Sequence, residues 1–210
     1  VDFIEKDGFK INERIYSVVE GEDLTTMAKS TGLALIELAT AFNNIKPDIV
    51  ITIADRYETI ATAIAGSYMN IPVAHVQGGE VTGSIDEKVR HAVTKLSHVH
   101  FVGNNKAKKR VLNMGEKRNS VFTIGSPDMD ILLSRKLPSI KSVKKKYGIK
   151  FKNYAILLWH PVTSKVYRLK KDTCKLINFV NKYNQNFVVI YSNNDPGTEI
   201  IIDSYKKLLK

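Results

Sequence analysis

The sequence predicts an α/β protein built from two parallel-sheet domains. Short β-branched runs alternate with helical stretches along the first half, the alternation stops at a long basic segment, and it then starts again. Strands of parallel sheets are buried on both faces, so they read as short continuous apolar runs, as these do. We expect an N-terminal domain over 1–135, a basic connection over 136–153 and the start of a second domain over 154–210.

The order of elements follows from the spacing of apolar residues. Apolar residues three and four apart predict helices, and short β-branched runs predict strands. In the first domain the predicted strands are KPDIVITIA, PVAHVQ, HVHFVG and SVFTIGSP. The predicted helices are DLTTMAKSTGLALIELATAFNNI, DRYETIATAIAGSYMNI, DEKVRHAVTKLS and NKAKKRVLNMG. Gly115 closes the last of these helices. In the second domain the strands are YAILLWH and NFVVIYSN, and the helices are KKDTCKLINFVNKY and TEIIIDSYKKLLK. Strands joined by helices indicate right-handed crossovers within parallel sheets.

Composition excludes several classes of protein. The 210 residues include one cysteine, Cys174, which excludes an internal disulfide framework and favours a cytoplasmic location. No apolar run reaches the length of a membrane span, and the chain begins without methionine, so we expect it to start inside a longer protein. The net charge of +11 divides into −5 over 1–100 and +16 over 101–210. The basic half lacks interleaved aromatic residues, which argues against specific nucleic-acid binding and favours a small anionic ligand.

Polar and glycine-rich stretches follow four of the predicted strands: IADRYE, QGGEVTGSIDE, IGSPDMD and WHPVT. Because ligands bind beyond the carboxyl ends of parallel strands, we expect these groups at one rim. Each has a structural explanation when taken alone, such as a helix cap for Asp55, a turn for the paired glycines or a core position for His160. Together they suit acid–base chemistry on a phosphorylated sugar or nucleotide. The carboxylates are Asp55, Glu80 and Asp86, and Arg90 follows Asp86 by one helical turn.

Signatures of metal and dinucleotide binding are missing from the sequence. The five histidines lack ligand spacing with cysteine, and no HExxH motif occurs. Neither GxGxxG nor GxxxxGK[ST] is present, which disfavours a dinucleotide dehydrogenase and a P-loop ATPase. We therefore expect no metal and no cofactor.

The block from Pro47 to Val102, with VFTIGSP, WHPVT and YSNNDPG, closely resembles the hydrolysing UDP-N-acetylglucosamine 2-epimerases, in the branch that serves sialic and legionaminic acid synthesis. The resemblance covers a central part of the family's length. It implies two Rossmann-like domains of glycosyltransferase-B type, both incomplete here, with the active site in the interdomain cleft. It also implies removal of the proton at sugar carbon 2, anti elimination of the nucleoside diphosphate to a 2-acetamidoglycal, and hydration to an N-acetylmannosamine-type sugar.

The resemblance also assigns roles to individual residues. Catalytic roles fall to Asp55, to Asp86 and to His160, which approaches the diphosphate. Gln77 departs from the family pattern, because many members have a catalytic glutamate there; either the other carboxylates divide its work or Glu80 contributes. The expected substrate-binding residues are Arg56, Gly78, Gly79, Arg90, Ser126, Asn194 and Asp195.

Alternatives remain open at this point. A non-hydrolysing UDP-N-acetylglucosamine 2-epimerase would keep the nucleotide on its product, and a catalytically silent nucleotide-sugar-binding protein would explain Gln77. The nucleotide is UDP or GDP, and the sugar is N-acetylglucosamine or a 4-acetamido-6-deoxy relative. We expect a homo-oligomer, and we expect the 210-residue chain alone to be inactive.

Overall fold

The computed structural model describes residues 2–21, 23–53, 56, 58–82, 85–134, 137–162, 165–193 and 195–208. It divides into two compact units, the first formed by 1–21 and 25–126 and the second by 22–24 and 127–210. Nine α-helices and six strands lie within the described residues: α1 Asp2–Lys6, α2 Leu24–Ile45, β1 Val50–Ile53, α3 Thr59–Tyr68, β2 Val73–Val76, α4 Ile85–Leu96, β3 Val99–Val102, α5 Asn105–Asn113, β4 Val121–Thr123, α6 Pro127–Leu133, α7 Ile140–Lys146, β5 Ala155–Leu158, α8 Val166–Lys182, β6 Phe187–Ile190 and α9 Thr198–Tyr205.

The first unit contains a four-stranded parallel sheet in the order β1-β2-β3-β4. Each strand pairs with the next one along the chain, with Val50 opposite Val73 in the first pair. The connecting helices α3, α4 and α5 therefore lie on one face, because parallel crossovers are right-handed. Alternate strand residues point into this layer, where Val73 and Val93 belong to one buried cluster and Val102 to a second, all three at 0% exposure.

At the two edge strands, β1 and β4, the opposite face of this sheet is apolar and accessible within the described residues. In β1, Ile51 is 64% exposed and Ile53 is 51% exposed, whereas the intervening Thr52 is buried. Phe122 of β4 is also about half exposed, because alternate residues of a strand face opposite sides of the sheet. The burial pattern thus assigns the polar Thr52 to the helix-covered side.

The second unit is organised around the parallel pair β5 and β6. Helices α8 and α9 pack together, and the core consists of the following buried residues: Leu157, Leu169, Ile177, Val180, Ile201 and Tyr205. All strands and helices named from the sequence in both domains are present, including the α5 end at Gly115, whose φ is 94°.

The limits of the domains differ from the expected ones. The structure divides the chain after Ser126, earlier than the expected boundary at 135. Within the segment expected to connect the domains it forms α7, whose Ser139 N-cap accepts a hydrogen bond from the Ser142 N–H at 3.2 Å. A short helix with no buried residue lacks the apolar periodicity that predicts helices, which is why the sequence reads as a connection there.

Candidate active site

The loop Gln77–Glu80 follows β2 at the carboxyl edge of the four-stranded sheet. The Gln77 backbone N–H donates to the Phe101 carbonyl at 2.8 Å, which extends the ladder with β3. Its left-handed φ of 63° then turns the chain away from the strand. The side-chain Nε2 of Gln77 donates to Ser126 Oγ at 3.3 Å, so the ends of β2 and β4 are joined. We call Gln77–Glu80, Gly103 and Ser126 the rim site.

Gly78 and Gly79 are buried, and neither position leaves room for a side chain. A methyl group on Gly78 would lie 2.9 Å from His75 Nδ1 and 3.1 Å from Thr94 Oγ1. A methyl group on Gly79 would lie 2.6 Å from the Ala107 carbonyl oxygen in α5. These glycines therefore let the loop pack directly onto the helices. That they also bind substrate through backbone amides stays a prediction.

A buried polar pair supports the loop beneath Gly78. Thr94 Oγ1 donates to the Arg90 carbonyl at 3.0 Å and lies 3.2 Å from His75 Nδ1. Since the threonine hydroxyl directs its single proton to the carbonyl, His75 donates from Nδ1 to Thr94. Both side chains are fully buried, so the loop rests on a fixed, hydrogen-bonded surface.

Two arginines from different helices hold the backbone of the loop. Arg90 of α4 is 3% exposed, and its Nη1 donates to the Glu80 carbonyl at 2.9 Å. Arg110 of α5 donates from its own Nη1 to the Gly79 carbonyl. Two consecutive carbonyls are thereby fixed by rigid guanidinium donors.

The Glu80 side chain extends toward the end of β3. A methyl group on Gly103 would lie 2.9 Å from Glu80 Oε1 and 3.9 Å from the Gly125 carbonyl oxygen. Within the described part of the chain, no hydrogen bond or ion pair engages this carboxylate. A partly exposed carboxylate in such a position can accept or donate a proton at a bound ligand.

Asp86 and Arg56 are the other predicted site residues of the first unit that the structure describes. Asp86 is in the first turn of α4, four residues before Arg90, so the two share one side of the helix. Arg56 follows β1, and its Nε donates to Glu58 Oε1 at 2.8 Å. Asp55 lies outside the described residues.

The second unit carries its own polar strand ends. The Asn193 backbone N–H donates to His160 Nδ1 at 3.3 Å, and Asn193 Nδ2 donates to Asp195 Oδ2 at 2.6 Å. An amide N–H requires a lone pair on Nδ1, so the neutral His160 ring carries its proton on Nε2. His160 is exposed, which leaves this N–H accessible to a ligand. Asn194 lies outside the described residues.

Sequence reasoning missed Arg110 and Gly103. Arg110 lies in a lysine-rich helix, NKAKKRVLNMG, where it reads as one more surface charge. The available signal is helical spacing, because Arg110 is three residues after Ala107 and directly precedes Val111, both of which are buried. Gly103 follows β3, the one strand of this sheet whose end carries no acid or histidine in the sequence.

The fold is of the glycosyltransferase-B type, as predicted, with two parallel α/β units. The crystal structure of a UDP-GlcNAc 2-epimerase from Neisseria meningitidis bound to UDP-GlcNAc matches with a TM-score of 0.74 and 21% identity. The match covers 91% of this chain and 55% of that chain.

The family model described as UDP-N-acetylglucosamine 2-epimerase matches residues 2–210, and the chain belongs to this family. A UDP-N-acetylglucosamine 2-epimerase of Neisseria meningitidis serogroup B is 37% identical over 189 residues, which are 90% of this chain and 49% of that protein. A UDP-N,N'-diacetylbacillosamine 2-epimerase (hydrolyzing) of Legionella pneumophila is 35% identical over 202 residues, 96% of this chain and 54% of that protein. The chain thus spans about half the length of these relatives. Among the described residues, no helix is both long and apolar enough to cross a membrane.

Proposed function

We propose that the chain is part of a hydrolysing nucleoside-diphosphate-N-acetylglucosamine 2-epimerase that serves nonulosonate synthesis. The observation that carries the proposal is the rim site, where Arg90 and Arg110 bind the backbone carbonyls of the loop that carries the partly exposed Glu80 carboxylate. The Legionella relative, which matches nearly the whole chain, supports the hydrolysing branch. We further propose a cytoplasmic homo-oligomer.

The reaction consists of elimination of the nucleoside diphosphate followed by addition of water. A base removes the proton from sugar carbon 2, and the electron pair forms the double bond between carbons 1 and 2. The bond from carbon 1 to the diphosphate oxygen breaks, and the nucleoside diphosphate leaves with that electron pair. Water then adds to the glycal: its hydroxyl bonds to carbon 1 while a base takes its other proton. An acid delivers a proton to carbon 2 on the face opposite the one from which the first proton was removed. Carboxylates suit these steps because a positioned side chain can take a proton and return it.

Glu80 supplies the carboxylate function that Gln77 lacks. An amide cannot accept a proton at neutral pH, and the Gln77 amide is engaged with Ser126. The Glu80 carboxylate lies on the same loop and has no hydrogen-bond partner within the described residues. Asp55 and Asp86 provide the other two carboxylates of the proposal, so acid and base roles are divided among three groups.

His160 supplies a donor for the departing diphosphate. Because Asn193 donates to Nδ1, the Nε2–H of the neutral ring is the group that a diphosphate oxygen can accept from. A hydrogen bond to an oxygen that gains charge as the bond breaks is stronger in the transition state than in the ground state, so it accelerates the step. Asp195, through Asn193, helps to fix the loop that holds His160.

The direct test is to incubate the complete protein with UDP- and GDP-linked N-acetylglucosamine and N,N'-diacetylbacillosamine and to separate the products by anion exchange. We expect free nucleoside diphosphate in amounts equal to the released 2-epimer. An epimer still linked to nucleotide would instead assign the protein to the non-hydrolysing branch. Tight binding without any turnover would identify a silent binding protein.

Replacement of the proposed carboxylate tests its role separately. Glu80→Gln keeps the shape of the side chain but cannot take a proton, so we expect kcat to fall roughly 10²- to 10⁴-fold. Glu37→Gln in α2 is the matched control, because Glu37 is exposed and distant from the rim in sequence. An unchanged kcat for Glu80→Gln would remove Glu80 from the mechanism while leaving the epimerase activity itself intact.

A further inference from the structure

We infer that Arg110 is a positioning residue for the carboxylate of Glu80. The inference rests on the proposed function and extends it to a residue in α5 that lies outside the polar strand ends. Arg110 and Gly79 are 31 residues apart in sequence, so their hydrogen bond is a tertiary contact between a helix and the rim. It is the kind of contact that sets the geometry of a site without touching the substrate.

Two peptide planes flank the Cα of Glu80. The Gly79 carbonyl belongs to the plane before this Cα, and the Glu80 carbonyl belongs to the plane after it. Because peptide groups are planar, the orientations of these two planes determine φ and ψ of Glu80. Arg110 holds the first plane and Arg90 holds the second. With φ and ψ fixed, the direction of the Glu80 Cα–Cβ bond, from which the carboxylate reaches Gly103, is fixed as well.

The helix that carries Arg110 is itself firmly anchored. Asn104 caps its first turn by accepting from the Ala107 N–H at 3.0 Å. Ala107 and Val111 are 1% and 0% exposed, so the face that presents Arg110 is packed into the core. Gly79 lies against the same turn of α5. A guanidinium on this helix can therefore fix a loop carbonyl with little freedom of its own.

Loss of Arg110 releases the first plane only. The loop remains packed through its glycines, and Arg90 still holds the second plane, so the variant is expected to fold. The carboxylate, however, gains rotational freedom about the Glu80 backbone. A misplacement of about 1 Å can reduce a rate about 10²-fold, so we expect Arg110→Met to lower kcat roughly 10- to 100-fold. KM should stay within about twofold, because Arg110 acts through the loop and not on the substrate.

The experiment compares Arg110→Met, Arg110→Lys and the matched control Arg118→Met in the complete protein. Arg118 is exposed and lies in the short 3-10 helix Arg118–Ser120, so its loss should change neither kcat nor KM. Lysine keeps one charged donor, so it should recover part of the rate. In a Glu80→Gln background, Arg110→Met should add less than about twofold, because both changes remove the same function.

Amide hydrogen exchange distinguishes failure of this inference from failure of the proposed function. We expect Arg110→Met to speed exchange of the backbone amides in 77–81, and Arg118→Met to leave it unchanged. A wild-type protein without epimerase activity would overturn the proposed function. The hydrogen-exchange rates would then be the only test of whether Arg110 fixes the loop. Unchanged exchange, or an equal loss of kcat in the presence and absence of the Glu80 carboxylate, would overturn the inference about Arg110.

Discussion

Gly79→Ala tests whether the loop Gln77–Glu80 is held in place by close packing against α5. The substituted residue would keep a φ of 79°, in the left-handed region, which costs an L-residue about 1–2 kcal/mol. Its methyl group would also lie 2.6 Å from the Ala107 carbonyl oxygen and 2.7 Å from Val111 Cγ2. A helix carbonyl cannot move aside without the helix, so overpacking adds about 1–3 kcal/mol. We expect a total loss of about 2–5 kcal/mol in the free energy of unfolding.

Gly115→Ala is the control that separates the two contributions. Gly115 closes the same helix with a φ of 94°, but a methyl group there would meet only Lys95 Nζ, at 3.9 Å. Its expected loss is therefore the backbone cost alone, about 1–2 kcal/mol. The assay is urea unfolding followed by far-UV circular dichroism, since the sole tryptophan, Trp159, lies in the second unit. The Gly79→Ala midpoint should fall roughly 1 M below that of Gly115→Ala; equal midpoints would refute the packing argument.

Three further predictions concern the surroundings of the rim. Gly103→Ala places a methyl group against the flexible end of Glu80, so kcat should fall roughly 10- to 100-fold in steady-state assays while the urea midpoint barely changes. Burial lowers the pKa of His100 below its ordinary value and outweighs the opposing effect of Glu116. At a pH below its ordinary pKa, His100 therefore binds a proton in the unfolded chain but not in the folded chain. The free energy of unfolding should decrease as pH falls through about 6.5. Urea titrations at several pH values should show a smaller decrease for His100→Gln. Asn104→Ala removes the N-cap of α5 and should lower the free energy of unfolding by about 1 kcal/mol in the same assay.

Local patterns predict the elements because their causes are local. The strand at Val50–Ile53 is a β-branched run entered through Pro47, and α5 is bounded by the Asn104 cap and by Gly115. Convergence of the polar strand ends also follows from sequence, because strands in a parallel sheet end at one edge. The contact of Gln77 with Ser126 bears this out for the ends of β2 and β4.

The features that the sequence does not predict depend on contacts between residues that are distant in the chain. The paired glycines suggest close approach of substrate, whereas the structure gives them a second cause, the close packing of Gly79 against Ala107. Arg110 reads as a surface charge until the sheet and helix are assembled, because its partner carbonyl is 31 residues away. The helix Ile140–Lys146 escapes prediction for a different reason, since it buries no residue and so has no apolar face to recognise.

Elimination followed by hydration at sugar carbon 2 leaves an isotopic trace that proton NMR in deuterated water detects. The complete protein is supplied with the nucleotide sugar that it turns over, and the released sugar is examined at carbon 2. We expect free nucleoside diphosphate together with a 2-epimer that carries deuterium at carbon 2, because the proton returned to that carbon comes from solvent. A released epimer that retains its original hydrogen at carbon 2 would exclude proton removal at that carbon, and an epimer still linked to nucleotide would exclude hydrolysis.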